Sequence, residues 1–304
     1  MKILIAGATG AIGQPLIDLL VAQKQDVYGI TQSQERAKTL DSKGAKSVLL
    51  DVLDREAVFS AIGEIRPTVV IDMLTRLPKE YTPEAMSQAA EMDTKIRLEG
   101  GANLQNASEA HGVERYIAQS SAFWYAPGSG LADEKVSFAF EASAGIAAGC
   151  HVYAAIEQRV LQSKKIDGTA LRFGFFYGPG TWFYPGQDVA EQICHQKLPL
   201  IGKGQGIWNF VHIEDAAQAI VAALTSKPGI YNIVNDQPSQ MREWLPAFAK
   251  DLGAPPPPHI TEEEGNRTRG ADSVYYATKL RGASNAKAKQ GLNFKPRPFE
   301  WLFA

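Results

Sequence analysis

Met1-Lys-Ile-Leu-Ile-Ala-Gly-Ala-Thr-Gly-Ala-Ile-Gly-Gln-Pro-Leu16 opens the chain. The apolar run Ile3, Leu4, Ile5 reads as a buried parallel strand. It feeds into glycines at 7, 10 and 13 and then into the amphipathic run Leu16, Ile17, Leu19, Leu20. Each glycine has a separate duty in such a strand–turn–helix unit. Gly7 permits a tight turn, Gly10 lets the backbone approach a pyrophosphate, and Gly13 lets the helix pack closely on the strand. The phosphates then meet free N–H groups of a helix starting near Ala11. Thr9, Ala11 and Ile12 share the turn and join the three glycines as cofactor-binding candidates. Glycine triplets also occur in ordinary structural turns; the flanking strand and helix are what point to a dinucleotide.

Outward from this turn, apolar strand candidates recur at 2–6, 26–31, 46–50, 68–73, 115–119, 168–173 and 230–234, with helical patterns between most of them. That alternation predicts an α/β fold, a Rossmann-type doubly wound parallel sheet with helices on both faces. Asp54 to Ile65 and Pro83 to His111 supply helices, the second with an interruption near Gly100-Gly101. After Gly178 the regularity stops: the chain is turn-rich to Gly206, and from Gln237 it mixes helix and loop. The expected division is a dinucleotide-binding domain over 1–177 plus about 209–236, and a small C-terminal substrate-binding lobe over about 178–208 plus 237–304. Pro255 to Pro258 reads as a stiff surface connection, with a polyproline ligand for a partner domain as the alternative.

The 304 residues carry a formal net charge of −2, which provides no electrostatic footprint for nucleic acid or an anionic membrane. No run approaches the ~18 apolar residues of a membrane span, and the first residues form a core strand rather than a signal peptide. Cys150 and Cys194 have no metal-ligand spacing. They read as buried thiols in a reducing compartment, so the expectation is a cytoplasmic protein with no metal.

Several segments together resemble the extended, atypical short-chain dehydrogenase/reductase superfamily, the nucleotide-sugar epimerases and dehydratases. Besides Gly7-Ala-Thr-Gly-Ala-Ile-Gly13, Leu50-Asp51-Val52 looks like the family's adenine-contacting strand end. Tyr116-Ile-Ala-Gln-Ser-Ser-Ala-Phe-Trp-Tyr125 resembles its active-site strand, and Leu171-Arg-Phe-Gly-Phe-Phe-Tyr-Gly-Pro-Gly180 the strand and turn beside the nicotinamide. Trp208-Asn-Phe-Val-His-Ile-Glu-Asp215, Gly229-Ile-Tyr-Asn-Ile233 and Ser284-Asn-Ala-Lys287 follow in the expected order. The resemblance implies a nicotinamide cofactor, a small-molecule substrate and a homodimer through sheet-flanking helices. It places Asp51, Val52 and Leu74 beside the cofactor.

An NAD enzyme usually has an acid at the end of the second strand; here that position is Thr31. Without the carboxylate a 2′-phosphate is not repelled. Thr31, Gln32 and Ser33 can donate to it, and Arg36 can supply a cation, which favours NADP over NAD. Relatives using NADP often carry Arg where Gln32 stands, and Arg36 reads equally well as a solvated helix residue.

The family's proton chemistry uses Ser or Thr with a Tyr–Lys pair spaced four residues apart, on one helix face. Ser121 matches the serine. The tyrosine of the relevant helix is Tyr153, and four residues later stands Glu157. If Tyr153 aligns with the catalytic tyrosine, Glu157 takes the lysine position and raises the phenol pKa. If Glu157 is instead the family's later glutamate, Tyr153 takes the lysine position and Gly149 the tyrosine position; the distance to Arg172 favours this. Either way the pair is not intact. Ser121 and Tyr153 are the catalytic candidates, His151 is a stand-in acid on another helix face, and Tyr125 and Tyr177 are further phenols at the same edge.

His212 reads as a tie between lobe and sheet. Trp182, Phe183, Tyr184, Trp208, Tyr275 and Tyr276 give the lobe an aromatic character, with Lys203, Arg269 and Arg281 as anion contacts. Trp208 and Asn209 stand where sugar-nucleotide enzymes often have a basic residue beside an aspartate, which disfavours a diphosphate sugar. The first functional expectation is an NAD(P)-dependent oxidoreductase of a small organic substrate, by carbonyl reduction or alcohol oxidation. An epimerase or dehydratase of a sugar-like substrate and a non-catalytic redox sensor are the alternatives.

Overall fold

All seven apolar segments expected as strands enter one parallel sheet in the computed structural model, which describes residues 1–299 and 301. The first elements are β1 (Lys2–Ala6), α1 (Gly13–Ala22), β2 (Asp26–Thr31), α2 (Gln34–Ser42), β3 (Lys46–Leu49), α3 (Arg55–Ile65), β4 (Val69–Asp72) and α4 (Pro83–Lys95). A π-helical turn (Ile96–Gly100) joins α4 to α5 (Gly101–Ala110). Then come β5 (Arg115–Ser121), α6 (Ala144–Gln162), β6 (Asp167–Phe173), β7 (Phe175–Tyr177), α7 (Asp188–Cys194), β8 (Leu200–Ile201), β9 (Ile207–Trp208), β10 (Phe210–His212), α8 (Ile213–Ala223) and β11 (Gly229–Ile233). The chain continues through β12 (Ser239–Gln240), α9 (Met241–Asp251), β13 (His259–Ile260), α10 (Glu262–Thr278) and α11 (Ala286–Leu292).

The sheet runs β11-β6-β5-β4-β1-β2-β3, so the order reverses between β1 and β4. That crevice at the carboxyl ends is where a doubly wound sheet takes its ligand. Side-chain alternation sends Ile3, Ile5, Ile71 and Ile117 into a core shared with α1 and α8, and Leu4, Val70, Tyr116 and Ala118 into another beneath α3, α5 and α6. Register lines up the strand ends: Ala6 lies beside Asp72, Asp72 beside Ala118, and Ser121 beside Phe173.

The long helix after Pro83 departs from α-geometry where the sequence suggested. Gly100 lies against Val52, where an added Cβ would be 2.8 Å from the nearest methyl, and Gly101 lies against the Arg159–Asp72 pair. Two expectations need correction. The stretch from 178 to 206 is not turns alone: α7 forms there, burying Val189, Ala190 and Ile193. Cys194, at the end of that helix, is exposed; only Cys150 is a buried thiol, and both are free. The Pro255–Pro258 segment is tied down as a connection, with Gln196 donating to the Pro256 carbonyl and Leu200 N–H to that of Pro258. Residues 300 and 302–304 of the expected lobe lie outside the described residues. No helix among the described residues is long and apolar enough to cross a membrane.

Candidate functional site

The glycine turn has the stereochemistry a dinucleotide requires. Gly7 adopts φ +85°, and a Cβ there would lie 2.5 Å from the Met73 carbonyl oxygen. At Gly13 a Cβ would lie 2.3 Å from the Ala8 oxygen, so α1 packs directly on the strand end. Gly10 differs: it is exposed, and a Cβ there would meet only the Gly7 oxygen at 3.3 Å. Its open side faces the start of α1. That helix begins after Ile12 with no side-chain cap and no acid in its first turn, whereas Ser33, Asp54, Thr82 and Thr261 cap α2, α3, α4 and α10. An uncapped positive helix end beside an open glycine fits a pyrophosphate. Thr9 and Ala11 sit half-buried on the rim, and Ile12 is buried.

The other cofactor candidates lie along neighbouring strand ends. Thr31 is buried, its hydroxyl accepting from Ser33 N–H at 3.2 Å, and Ser33 accepts from Arg36 N–H at 3.4 Å. Each hydroxyl keeps its own proton to donate outward. Gln32 and Arg36 are exposed beside them. Asp51 is exposed, its carboxylate accepting from Leu53 N–H; Val52 is buried, its carbonyl held by Asn103. Leu74 donates its N–H to buried Asp72.

On the reaction side, Ser121 ends β5 almost fully buried, and its hydroxyl accepts from Phe123 N–H at 3.2 Å. Tyr153 is buried on α6, its ring 5.8 Å from that of Trp124 and beneath the Arg97 guanidinium at 5.2 Å. Burial pushes its phenol pKa up, Arg97 draws it down and Asp93 pushes it up. Among the described residues no hydrogen bond joins Ser121 to Tyr153.

Glu157 is buried on the same helix. It is held in a buried two-point pair with Arg172, at 2.6 and 2.7 Å, and also accepts from Ser120 at 2.6 Å. Arg172 also donates to Tyr125, which donates to Asn232. Burial lifts the Tyr125 phenol to about 12, so it acts as a structural hydroxyl. His151 is exposed and packs on Phe140. His212 caps α8 and reaches Arg297. Arg269 and Arg281 donate to backbone carbonyls of Lys197 and of Ala126, Ser129 and Gly130, while Lys203 is exposed.

Two residues at this edge escaped the sequence reading. Arg97, buried on the π-turn and paired with Asp93 at 2.7 Å, puts a cation over Tyr153. The available signal was a lone arginine between Ile96 and Leu98 just before Gly100-Gly101, since π-turns concentrate at functional sites. Tyr81, in the loop between β4 and α4, packs its ring at a tilt against Trp182, with centroids 4.8 Å apart; nothing local marked it. Phe123, Phe175 and Trp208 form a continuous stack with centroids 4.1 and 4.2 Å apart. An open cavity of about 420 Å³ between Pro127–Leu131 and Lys279–Arg281 contains none of the cofactor candidates.

Comparison with known proteins adds four findings. The family model described as "NAD dependent epimerase/dehydratase family" matches residues 3–234. The chain is 38% identical to a 3-diazoavenalumate denitrifying reductase of a Streptomyces species, over 99% of this chain and 98% of that protein. Its fold is similar to UDP-glucose 4-epimerase of Thermus thermophilus in complex with NAD (24% identity, TM-score 0.72, covering 99% and 96% of the two chains). It is also similar to a dTDP-glucose 4,6-dehydratase of Streptomyces venezuelae with NAD bound (17%, 0.77, 99% and 93%).

Proposed function

The chain belongs to the NAD dependent epimerase/dehydratase family of enzymes, and from that premise we propose that it is an NAD(P)H-dependent reductase of a small aromatic substrate, with a ring-bound diazo group the first substituent to test. One observation carries the reading: an intact, uncapped dinucleotide turn coexists with a helix α6 that has lost the phenol–lysine pair. Gly149 has no side chain, and Glu157 is sequestered by Arg172 and Ser120. Carbonyl reduction develops an oxyanion that needs a proton from a tuned acid. A diazonium-bearing ring does not. When bound, the reduced cofactor would supply a hydride to the terminal diazonium nitrogen, giving a neutral diazene; loss of the diazene N–H as a proton, cleavage of the carbon–nitrogen bond with release of dinitrogen and protonation of the ring carbon would then leave a C–H bond. The relative named for a diazo substrate supports the same choice.

In this reading Gly7, Thr9, Gly10, Ala11, Ile12 and Gly13 hold the pyrophosphate, and Asp51, Val52 and Leu74 border the adenine. Ser121 and Tyr153 flank the substrate, and residues 178–208 and 237–304 close over it. A homodimer through α4, none of whose residues is buried, and α6 belongs to the same proposal, as does a cytoplasmic location; molar mass in solution tests the dimer. Purified protein given NADPH or NADH with aryl diazonium salts should oxidise the cofactor with matching release of dinitrogen and formation of the unsubstituted ring. An idle diazo panel alongside turnover of carbonyls or nucleotide sugars sinks the proposal.

We carry NADP as the preferred cofactor, supported by Thr31 in place of an acid and by Ser33 and exposed Arg36 at the start of α2. NADPH should bind roughly tenfold more tightly than NADH, the worth of one charge-assisted contact. Arg36→Ala should bring the two within about twofold of each other. Tighter NADH binding in a fluorescence titration overturns it.

A further inference from the structure

The cavity between Pro127–Leu131 and Lys279–Arg281 is separated from the aromatic stack by β9. Successive strand residues face opposite ways: Trp208 is buried against Phe175, while Ile207 lines the cavity. Pro127, Leu131 and Leu280 supply the other apolar walls, around a volume of about 420 Å³, a size that suits a small molecule. Directed bonds hold this shape. Arg281 donates to the carbonyls of Ala126, Ser129 and Gly130 at 3.2, 2.8 and 3.0 Å. Ala132 donates its N–H to the Gly282 carbonyl at 2.7 Å and accepts from Ser284 N–H at 2.8 Å. Buried Asn209 ties residue 283 to the segment just after Ser121: its amide accepts from Ala283 N–H at 2.8 Å and donates to the Ala122 carbonyl at 3.1 Å. The cavity is therefore pre-formed, walled by two segments remote in sequence.

Its lining sets the chemistry of an occupant. Leu131 is 49% exposed, so its apolar surface meets water until something covers it. Both charged residues of the lining are cations, and no acid is among them. Arg281 directs one bond from each of its nitrogens into the loop. Lys279 is exposed and, among the described residues, has no ion pair. Its ammonium is the charge left to meet a ligand. A cationic partner is repelled here, and a small, fully hydrated anion such as phosphate gains nothing from the apolar walls. An apolar ring carrying one carboxylate satisfies both: the ring covers Leu131 and the carboxylate accepts from Lys279.

We infer that this cavity is a second ligand site, distinct from the dinucleotide crevice, and that it takes a small aromatic carboxylate. Lys279 holds the carboxylate, and Pro127, Leu131, Ile207 and Leu280 hold the ring. The inference is independent of the reaction proposed above, and equilibrium binding tests it without reading turnover. With NADP⁺ present, calorimetry compares indole-3-acetate with its uncharged counterpart indole-3-acetamide. The proteins are the wild type, Lys279→Gln, Leu131→Ser and a control, Lys203→Gln, at an exposed lysine outside the cavity lining. Leu131 and Lys279 are both exposed, so neither substitution opens a hole in the core.

The wild type should prefer the acid over the amide by about fivefold, the worth of one exposed ion pair. Lys279→Gln should erase that preference by weakening the acid alone. Leu131→Ser should weaken both probes alike, by roughly threefold, as lost apolar contact does. Lys203→Gln should match the wild type. Equal affinities in the wild type, no saturable binding of either probe, or binding untouched by Lys279→Gln and Leu131→Ser overturns the inference; the last is what capture in the dinucleotide crevice would produce. Sedimentation of the free protein tests the competing occupant. An oligomer that Leu131→Ser splits puts a second copy over the cavity and overturns the inference as well. Binding as expected in a protein that reduces no diazo compound leaves it standing and removes only the proposed reaction.

Discussion

Gly10→Asp is expected to weaken dinucleotide binding by about 30-fold while leaving the protein about as stable as the wild type. The two effects share one cause. Helix α1 presents a positive end with no side-chain cap and no acid in its first turn. A carboxylate placed there should stabilise the fold by a few tenths to about 1 kcal/mol. An added Cβ at Gly10 meets only the Gly7 oxygen, at 3.3 Å, a tight contact that a small shift of the turn relieves. The same carboxylate stands where a pyrophosphate would bind. Two like charges about 4 Å apart repel by roughly 4 kcal/mol at a surface-like dielectric, and screening that halves this leaves about 30-fold. Gly13→Ala is the contrast: its Cβ would overlap the Ala8 oxygen at 2.3 Å, so binding and melting temperature should fall together. Cofactor titration beside thermal melts separates the two variants. Unchanged binding in Gly10→Asp means that the turn holds no dinucleotide.

The contrast between these glycines was legible from the sequence because strand, turn and helix are contiguous and each glycine's duty follows from its place in the run. The seven strands were legible for the same reason: buried parallel strands are continuous apolar runs, and each stands alone in the sequence. Contacts between remote segments were hidden. Nothing near Gly149 announces that Trp124 fills its space, and nothing near Tyr153 announces Arg97, because both pairings depend on how β5, α6 and the π-turn pack. Helix α7 was missed because seven residues between turn-formers provide too short a period to detect. Cys194 was misplaced because cysteine composition says nothing about which end of a short helix faces water.

Glu157→Ala is expected to cost about 3–5 kcal/mol of stability, the usual result of stripping one partner from a buried ion pair. Its carboxylate and the Arg172 guanidinium are 7% and 5% exposed. Burial alone would pull the arginine's pKa down, and the hydrogen bonds to Glu157 outweigh it, holding the guanidinium above its ordinary value. Removing the glutamate leaves that cation with the Tyr125 hydroxyl and the Glu134 carbonyl as its remaining partners, and removes the acceptor of Ser120. Melting should fall by on the order of 10 °C. Removing both charges with Glu157→Ala and Arg172→Met should recover much of the loss, because a missing pair costs less than an orphaned charge. The residue's role follows from which quantity moves. A glutamate in the lysine position would show lost turnover in a protein of normal stability. The network around Glu157, joining β5, α6, β6 and Asn232 of β11, instead predicts an unstable protein in which the molecules still folded turn over at near wild-type rate. Thermal melts of the single and double variants, with turnover normalised to the folded fraction, decide between them.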